Sequence, residues 1–217
     1  MGSYHVSNGR YQSNGSMLTI GEYTQTIDNF ERPPETLESI YTGDLNYFDI
    51  QSSLVSDGSQ ALGQTDRNDH RTITSLPGDG LNYYPQPGDR FRFQIAVQQN
   101  RSDAWLAFFK SDYQRNTQYE FHLSKYGDAI ALWAKPEPGD KEQLAYEFHK
   151  PVLDRYYEFE VDSKLDSGDV VLDLTARHPN GSVLLSETVR DSKYTYTGSG
   201  IRWTSYKQAA FDHARTV

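Results

Sequence analysis

The stretch "RFRFQIAVQ", residues 90–98, alternates without a break: Phe91, Phe93, Ile95 and Val97 fall on one side, Arg90, Arg92, Gln94 and Gln98 on the other. Successive side chains of a strand point to opposite faces, so this period of two predicts a strand with one face against an apolar core. The same rhythm continues downstream in "DAWLAFFK", "QYEFHLS", "DAIALWAK", "QLAYEFHK", "RYYEFEVD", "DVVLDLTAR", "SVLLSETVR", "GIRWTSYK" and "AAFDHARTV". Turn chemistry separates the segments, at Tyr126-Gly127-Asp128, residues 136–140, Asp166-Ser167-Gly168-Asp169, Pro179-Asn180-Gly181 and Gly198-Ser199-Gly200. Upstream, "YFDIQSSLVSDGSQAL" (residues 47–62) reads as two further strands joined at Asp57-Gly58. No segment carries a sustained 3.6-residue apolar stripe.

Many short antiparallel strands with Gly and Asp turns predict an all-β fold, a two-sheet antiparallel jelly-roll sandwich. Alternation then supplies the core: Phe91, Phe93, Ile95, Val97, Leu106, Phe108, Tyr119, Phe121, Ile130, Leu132, Tyr157, Phe159, Val161, Leu172 and Leu174, with Trp105, Trp133 and Trp203 at least partly buried. Residues 1–26 are rich in Ser, Asn, Gly, Gln and Tyr, and only "SMLTIGEY" suits a strand. Such a segment cannot bury itself. It predicts an extended N-terminal arm, 1–26, that anchors the 27–217 domain or locks a homo-oligomer.

Composition narrows the function. The 217 residues carry a formal charge of -9 with 24% charged, which disfavours nucleic acid and anionic membrane surfaces as partners. Cysteine is absent, excluding disulfides and thiolate zinc sites. Neither a signal-peptide pattern at the start nor an apolar run of membrane-spanning length is present. Aspartate outnumbers glutamate and arginine outnumbers lysine, a balance that suits a salt-loving host as well as an ordinary acidic protein.

A set of short motifs runs through the chain: Asp28-Asn29-Phe30-Glu31, Tyr41-Thr42-Gly43, the "S-x-x-x-x-x-G-S-x-A-L" spacing ending at Leu62, Tyr84-Pro85-Gln86-Pro87-Gly88-Asp89, and Phe211-Asp212. In these the chain resembles the concanavalin A-like, or laminin-G-like, jelly-roll domains found in proteins of halophilic archaea and their viruses. The likeness covers residues 27–217, although each motif is short. It implies a first and a last strand lying side by side. It also implies that Glu31 and Asp212 could hold a structural calcium, since oxygen ligands suit that ion.

Four constellations are candidates for chemistry. Glu158, Glu160 and Asp162 alternate on "YEFEVD", a spacing that could serve a retaining glycosidase, though a solvated outer face with Tyr157, Phe159 and Val161 inward is the favoured reading. "EFH" occurs twice, as Glu120-Phe121-His122 and Glu147-Phe148-His149, so each His and Glu should project away from its phenylalanine; neighbouring strands could then bind metal, and otherwise these are exposed cross-strand pairs. Exposed tyrosines and polar partners, Tyr83, Tyr113, Arg115, Asn116, Tyr194 and Tyr196, suit either sugar rings or a protein interface. Tyr84 belongs to the family turn. Nucleophile elbows, phosphate loops and dinucleotide fingerprints are missing.

The expected function is therefore a non-enzymatic structural protein on the surface of a virion of a halophilic archaeal virus, in the tail, baseplate or capsid decoration. Its arm would contact other virion proteins and its jelly roll a host glycan or S-layer. The alternatives are a glycoside hydrolase or polysaccharide lyase using Glu158 and Glu160, and a free carbohydrate-binding module.

Overall fold

A computed structural model describes residues 24–56, 58–113, 117–136 and 139–217, together with the backbone of three N-terminal strands, β1 (Val6–Ser7), β2 (Arg10–Ser13) and β3 (Ser16–Thr19). Those three form a small antiparallel meander of their own, where the sequence led us to expect a single strand. Of the rest of the expected arm, residues 24–26 are described and lead into the domain, and the others lie outside the described residues.

In chain order the remaining strands are β4 (Thr26–Asp28), β5 (Thr42–Gly43), β6 (Phe48–Gln51), β7 (Ala61–Gln64), β8 (His70–Ser75), β9 (Arg90–Val97), β10 (Asp103–Lys110), β11 (Gln118–Ser124), β12 (Ala129–Lys135) and β13 (Glu142–Phe148). They are followed by β14 (Tyr157–Asp166), β15 (Asp169–Arg177), β16 (Val183–Asp191), β17 (Gly200–Tyr206) and β18 (Ala209–Thr216). One antiparallel sheet has the order β13-β12-β11-β10-β17-β8-β5. The other runs β16-β15-β14-β9-β18-β7-β6, with β4 also on β18. Two short 3₁₀ turns, Pro34–Ser39 and Leu45–Tyr47, are the helical content of the described residues.

Alternation does what the sequence says it must. All fifteen expected core residues are buried between the sheets, and Trp203 is fully enclosed. Phe93 stacks on Phe159 at 5.2 Å, and Phe121 meets Phe159 edge-on at 4.8 Å from the opposite sheet. β6 and β7 pair with Phe48 opposite Gln64 and Ile50 opposite Leu62, as the 47–62 stretch predicts. Gly58 takes φ +78°, the left-handed geometry that an Asp-Gly turn needs.

Two irregularities change which residues face inward. A bulge in β10 puts Phe109 at φ 57°, and Phe108 and Phe109 then both enter the core. In β13 the register shifts so that Leu132 faces Ala145 and Trp133 faces Gln143. Leu144 is the extra residue, and everything after it changes side.

The short motifs lock the chain's start to its end. β4 pairs β18, and Gln25 N–H donates to Thr216 Oγ1 at 2.7 Å. Buried Asp28 accepts from Arg32, from Tyr41 Oη (2.6 Å) and from the Phe30 N–H (2.8 Å), and Trp203 Nε1–H donates on to Tyr41 Oη (3.2 Å). The last bond to Asp28 holds Phe30 at φ 57°, a backbone state that costs roughly 1–2 kcal/mol and delivers its ring to Trp203 at 5.6 Å. Burial pushes the Asp28 carboxyl above its ordinary range against the pull of Arg32 and Tyr41. Asp28→Ala is expected to lower unfolding free energy by about 2–3 kcal/mol, because donors to a charged acceptor lose their partner. Urea denaturation measures this, and a loss below about 0.5 kcal/mol would mean the network adds little.

Candidate functional site

On the seven-stranded sheet, residues between the core positions face outward. Trp105 on β10, His122 on β11 and Ala131 on β12 stand directly opposite one another, as do Ala107, Glu120 and Trp133 in the adjoining row. The Trp105 indole lies flat on the His122 imidazole, with centroids 4.3 Å apart, and Trp133 closes on His122 at 6.4 Å. Lys141, from the β12–β13 connection, reaches over both indoles at 5.5 and 5.2 Å, within cation–π range.

A polar chain runs along β11 beneath that cover. Gln118 Nε2 donates to Glu120 Oε1 (2.8 Å), His122 Nε2 lies 3.0 Å from Glu120 Oε2, and His122 Nδ1 lies 3.4 Å from Asp103 Oδ1. Lys141 Nζ adds a charge 3.6 Å from Glu120. These side chains are buried although they belong to an outer face: Glu120 is 1% exposed and His122 3%. The alternation of "EFH" predicts either a metal-binding pair or an exposed one, and the structure makes it buried. Burial follows from neighbours that spacing does not show, the two indoles and the Lys141 stem.

Burial works against charge on both groups, yet the two carboxylates hold the His122 imidazolium above its ordinary pKa. Their partners bring Glu120 down to about 2. Two groups of this cluster find no partner among the described residues: the Nε1–H of Trp105, stacked over the chain and 8% exposed, and the Oε1 of Gln118, at its start and 1% exposed. Each such orphan costs about 1–3 kcal/mol unless something outside the chain completes it.

The other expected candidates have different surroundings. The second "EFH" is two strands away on β13 and reversed by the Leu144 shift: Phe148 faces outward at 68% exposure, and His149 turns to Tyr157 and His178. Glu160 is clamped, with Arg90 Nε at 2.8 Å from Oε1 and Arg92 Nε at 2.5 Å from Oε2. Burial would raise its pKa, but the two guanidiniums hold it below the ordinary carboxylate range, the reverse of what a general acid needs. Glu158 sits 3.6 Å from Arg177 at a shallow cleft of about 190 Å³ lined also by Gln94, Tyr156 and His178.

Tyr83, Tyr113, Tyr194 and Tyr196 gather at one end of the sandwich, in the loops after β8, after β10 and before β17. There Tyr83 donates to Asp89 (2.6 Å), Tyr113 to Asp79, and Tyr194 to Glu142 (2.6 Å), while Tyr196 stacks on Tyr194 at 5.7 Å. Burial and the neighbouring carboxylates push Tyr83 and Tyr113 each up to about 12. Three of the four hydroxyls thus brace loops. Arg115 and Asn116 lie outside the described residues.

Glu31 and Asp212 also have internal partners. Glu31 accepts from Ser59 N–H (2.5 Å), Ser59 Oγ–H (2.5 Å) and Gln60 N–H (2.9 Å), tying the Phe30-Glu31 motif to the Gly58-Ser59 motif. Asp212 Oδ2 accepts from Ser56 N–H at 2.9 Å. A calcium ion would compete with these donors, and among the described residues no three His, Asp or Glu side chains converge as a ligand set.

No protein-family model matches the sequence, and no curated protein matches it. Solved structures match in fold. β-Agarase A from Zobellia galactanivorans superposes at a TM-score of 0.56 with 8% identity, over 89% of this chain and 92% of its own. A carbohydrate-binding module from Bacillus subtilis does so at 0.52 with 11%, over 82% and 95%. The Lotus tetragonolobus seed lectin does so at 0.50 with 10%, over 82% and 91%. At these identities the likeness is one of architecture.

The Glu120–His122 pair predicts a pH signature. His122, raised above 6.5, adds stability that is complete below that value and is lost as pH climbs through its folded pKa. Glu120, lowered, adds stability that is complete above 4.5 and is lost as pH falls towards about 2. Melting temperatures of wild type and His122→Gln should therefore differ most between about pH 4.5 and 6.5 and converge at alkaline pH. A difference that grows with rising pH would contradict the assignment.

Proposed function

We propose that the protein is a non-catalytic glycan-binding module whose ligand docks on the outer face of the seven-stranded sheet. One observation carries this: a buried indole N–H and a buried carboxamide oxygen, Trp105 Nε1 stacked over the β11 polar chain and Gln118 Oε1 within it, lack partners among the described residues. A hydroxyl both donates and accepts, so it can complete either group. Sugars present several hydroxyls and flat C–H faces, and the partly exposed Trp133 offers a ring for the latter. The fold neighbours, a carbohydrate-binding module, a lectin and an agarase, support the same class of ligand.

Hydrolysis or elimination by Glu158 and Glu160 is the weaker reading. Two arginines neutralise Glu160, leaving it neither proton donor nor free nucleophile. The finer setting, a virion component of a halophile's virus with the 1–26 arm seated on other virion proteins or a second copy, rests on the sequence resemblance. In that setting the proposed glycan face is the part turned towards the host.

Trp105→Phe keeps an aromatic ring at the stack while removing the indole N–H together with the second ring of the bicycle. Once an array has identified a bound glycan, titration calorimetry should show this variant about tenfold weaker, the worth of one hydrogen bond. Glu158→Gln should bind as wild type. Unchanged affinity in Trp105→Phe would remove the proposal, and turnover of any bound glycan that Glu158→Gln abolishes would restore the enzymatic reading.

A further inference from the structure

The register of the outer face fixes a relief that single residues do not show. One row across the sheet reads Trp105, His122, Ala131, Tyr146, and the next reads Asp103, Ser124, Ala129, Phe148. Large side chains therefore stand on both sides of β12. On β11 it is His122 with its indole stack; on β13 it is Tyr146 and Phe148. Between them β12 supplies only the methyl groups of Ala129 and Ala131, which are 6% and 3% exposed. The result is a trough along β12 with an alanine floor, an exposed aromatic rim on its β13 side and the Trp105-covered His122 on its β11 side, headed by Trp133 under the Lys141 ammonium. Trp133 to Ala129 is four residues of strand, about 13 Å.

The outer rim is unusual for its place. β13 is the edge of its sheet, and edges are ordinarily guarded by charge. Here Tyr146 and Phe148 stand 44% and 68% exposed two residues apart on the face. Neither helps to fill the core, and both face outward because Leu144 shifts the register.

We infer that this trough extends the glycan site, and that the ligand is a linear, uncharged run of polysaccharide laid along β12, not a single terminal sugar. The inference rests on the glycan-binding reading above. Length is one argument, since the trough outreaches a single pyranose ring. Its lining is the other: Ala129, Ala131, Ser124, Tyr146 and Phe148 carry no charge, and the charged groups collect at the Trp133 end and on the far side of His122. Rings at the rim receive C–H faces, while Ser124 and the Tyr146 hydroxyl can bond outward-pointing hydroxyls.

The test is an array of neutral linear oligosaccharides, in cello-, xylo-, laminari- and agaro- series from one to eight sugars. It is probed with wild type, with the double variant Tyr146→Ala/Phe148→Ala, and with Ala131→Leu, which fills the floor. Wild type should gain about tenfold or more in affinity between the shortest bound member and the hexamer, on the scale of one or two aromatic contacts. Both variants should lose that gain and keep wild-type binding to the shortest member. The rim residues are exposed, so unchanged melting temperature confirms that the double variant folds. Length-independent binding, or a double variant that behaves as wild type, overturns the inference while leaving the glycan site intact. Light scattering that shows the double variant changing a dimer to a monomer with glycan binding unaltered would make the rim a contact between copies, which also overturns it. Silence of wild type across the whole array ends both readings.

Discussion

Phe93 lying on Phe159 at 5.2 Å, with Phe121 and Trp203 arriving edge-on from the facing sheet, pins the two layers in one register. A sheet residue has only two directions in which to point. Once Leu106, Phe121 and Leu132 are committed to this core, Trp105, Glu120, His122 and Trp133 must face the other way. The outer face of the seven-stranded sheet is thus a consequence of the core. A one-residue slip would send its charges between the sheets, so the arrangement is held far more firmly than its own contacts would hold it.

That face holds a costly set of groups. A buried imidazolium between two carboxylates, with an indole N–H and an amide oxygen left over, contributes little net stability compared with apolar packing of the same volume. The opposite sheet shows the ordinary arrangement: Glu160 is completed by two arginines within the chain. What distinguishes the β11 cluster is the cover that Trp105, Trp133 and Lys141 lay over its carboxylate–imidazole pair. Beside that pair the Trp105 N–H and the Gln118 amide oxygen are left without a partner among the described residues, and these are the groups the proposed ligand would complete.

Sequence carried the architecture because alternation is a local property: each strand announces its own buried face. It failed where a strand breaks the rhythm without a signal. Phe109 joins the core through a bulge, and Phe148 leaves it through the extra Leu144, and neither position contains a glycine or proline to mark it. The "EFH" motif drew attention to Glu120 and His122, but their burial depends on Trp105, Trp133 and Lys141, which other strands and a hairpin bring in. Tyr83, Tyr113 and Tyr194 were legible as surface aromatics. Their hydroxyls' engagement with Asp89, Asp79 and Glu142 is a property of folded loops.

The central claim, that a ligand completes the orphaned Trp105 N–H, can be read directly in the indole region of a ¹H–¹⁵N spectrum. The chain has three tryptophans, and Trp203 serves as an internal control because its N–H is bonded to Tyr41 inside the core. On titration with a glycan selected from the array, the Trp105 indole resonance should move and its exchange with solvent should slow, while Trp203 stays in place. A glycan that binds and leaves the Trp105 resonance unmoved would contradict the account.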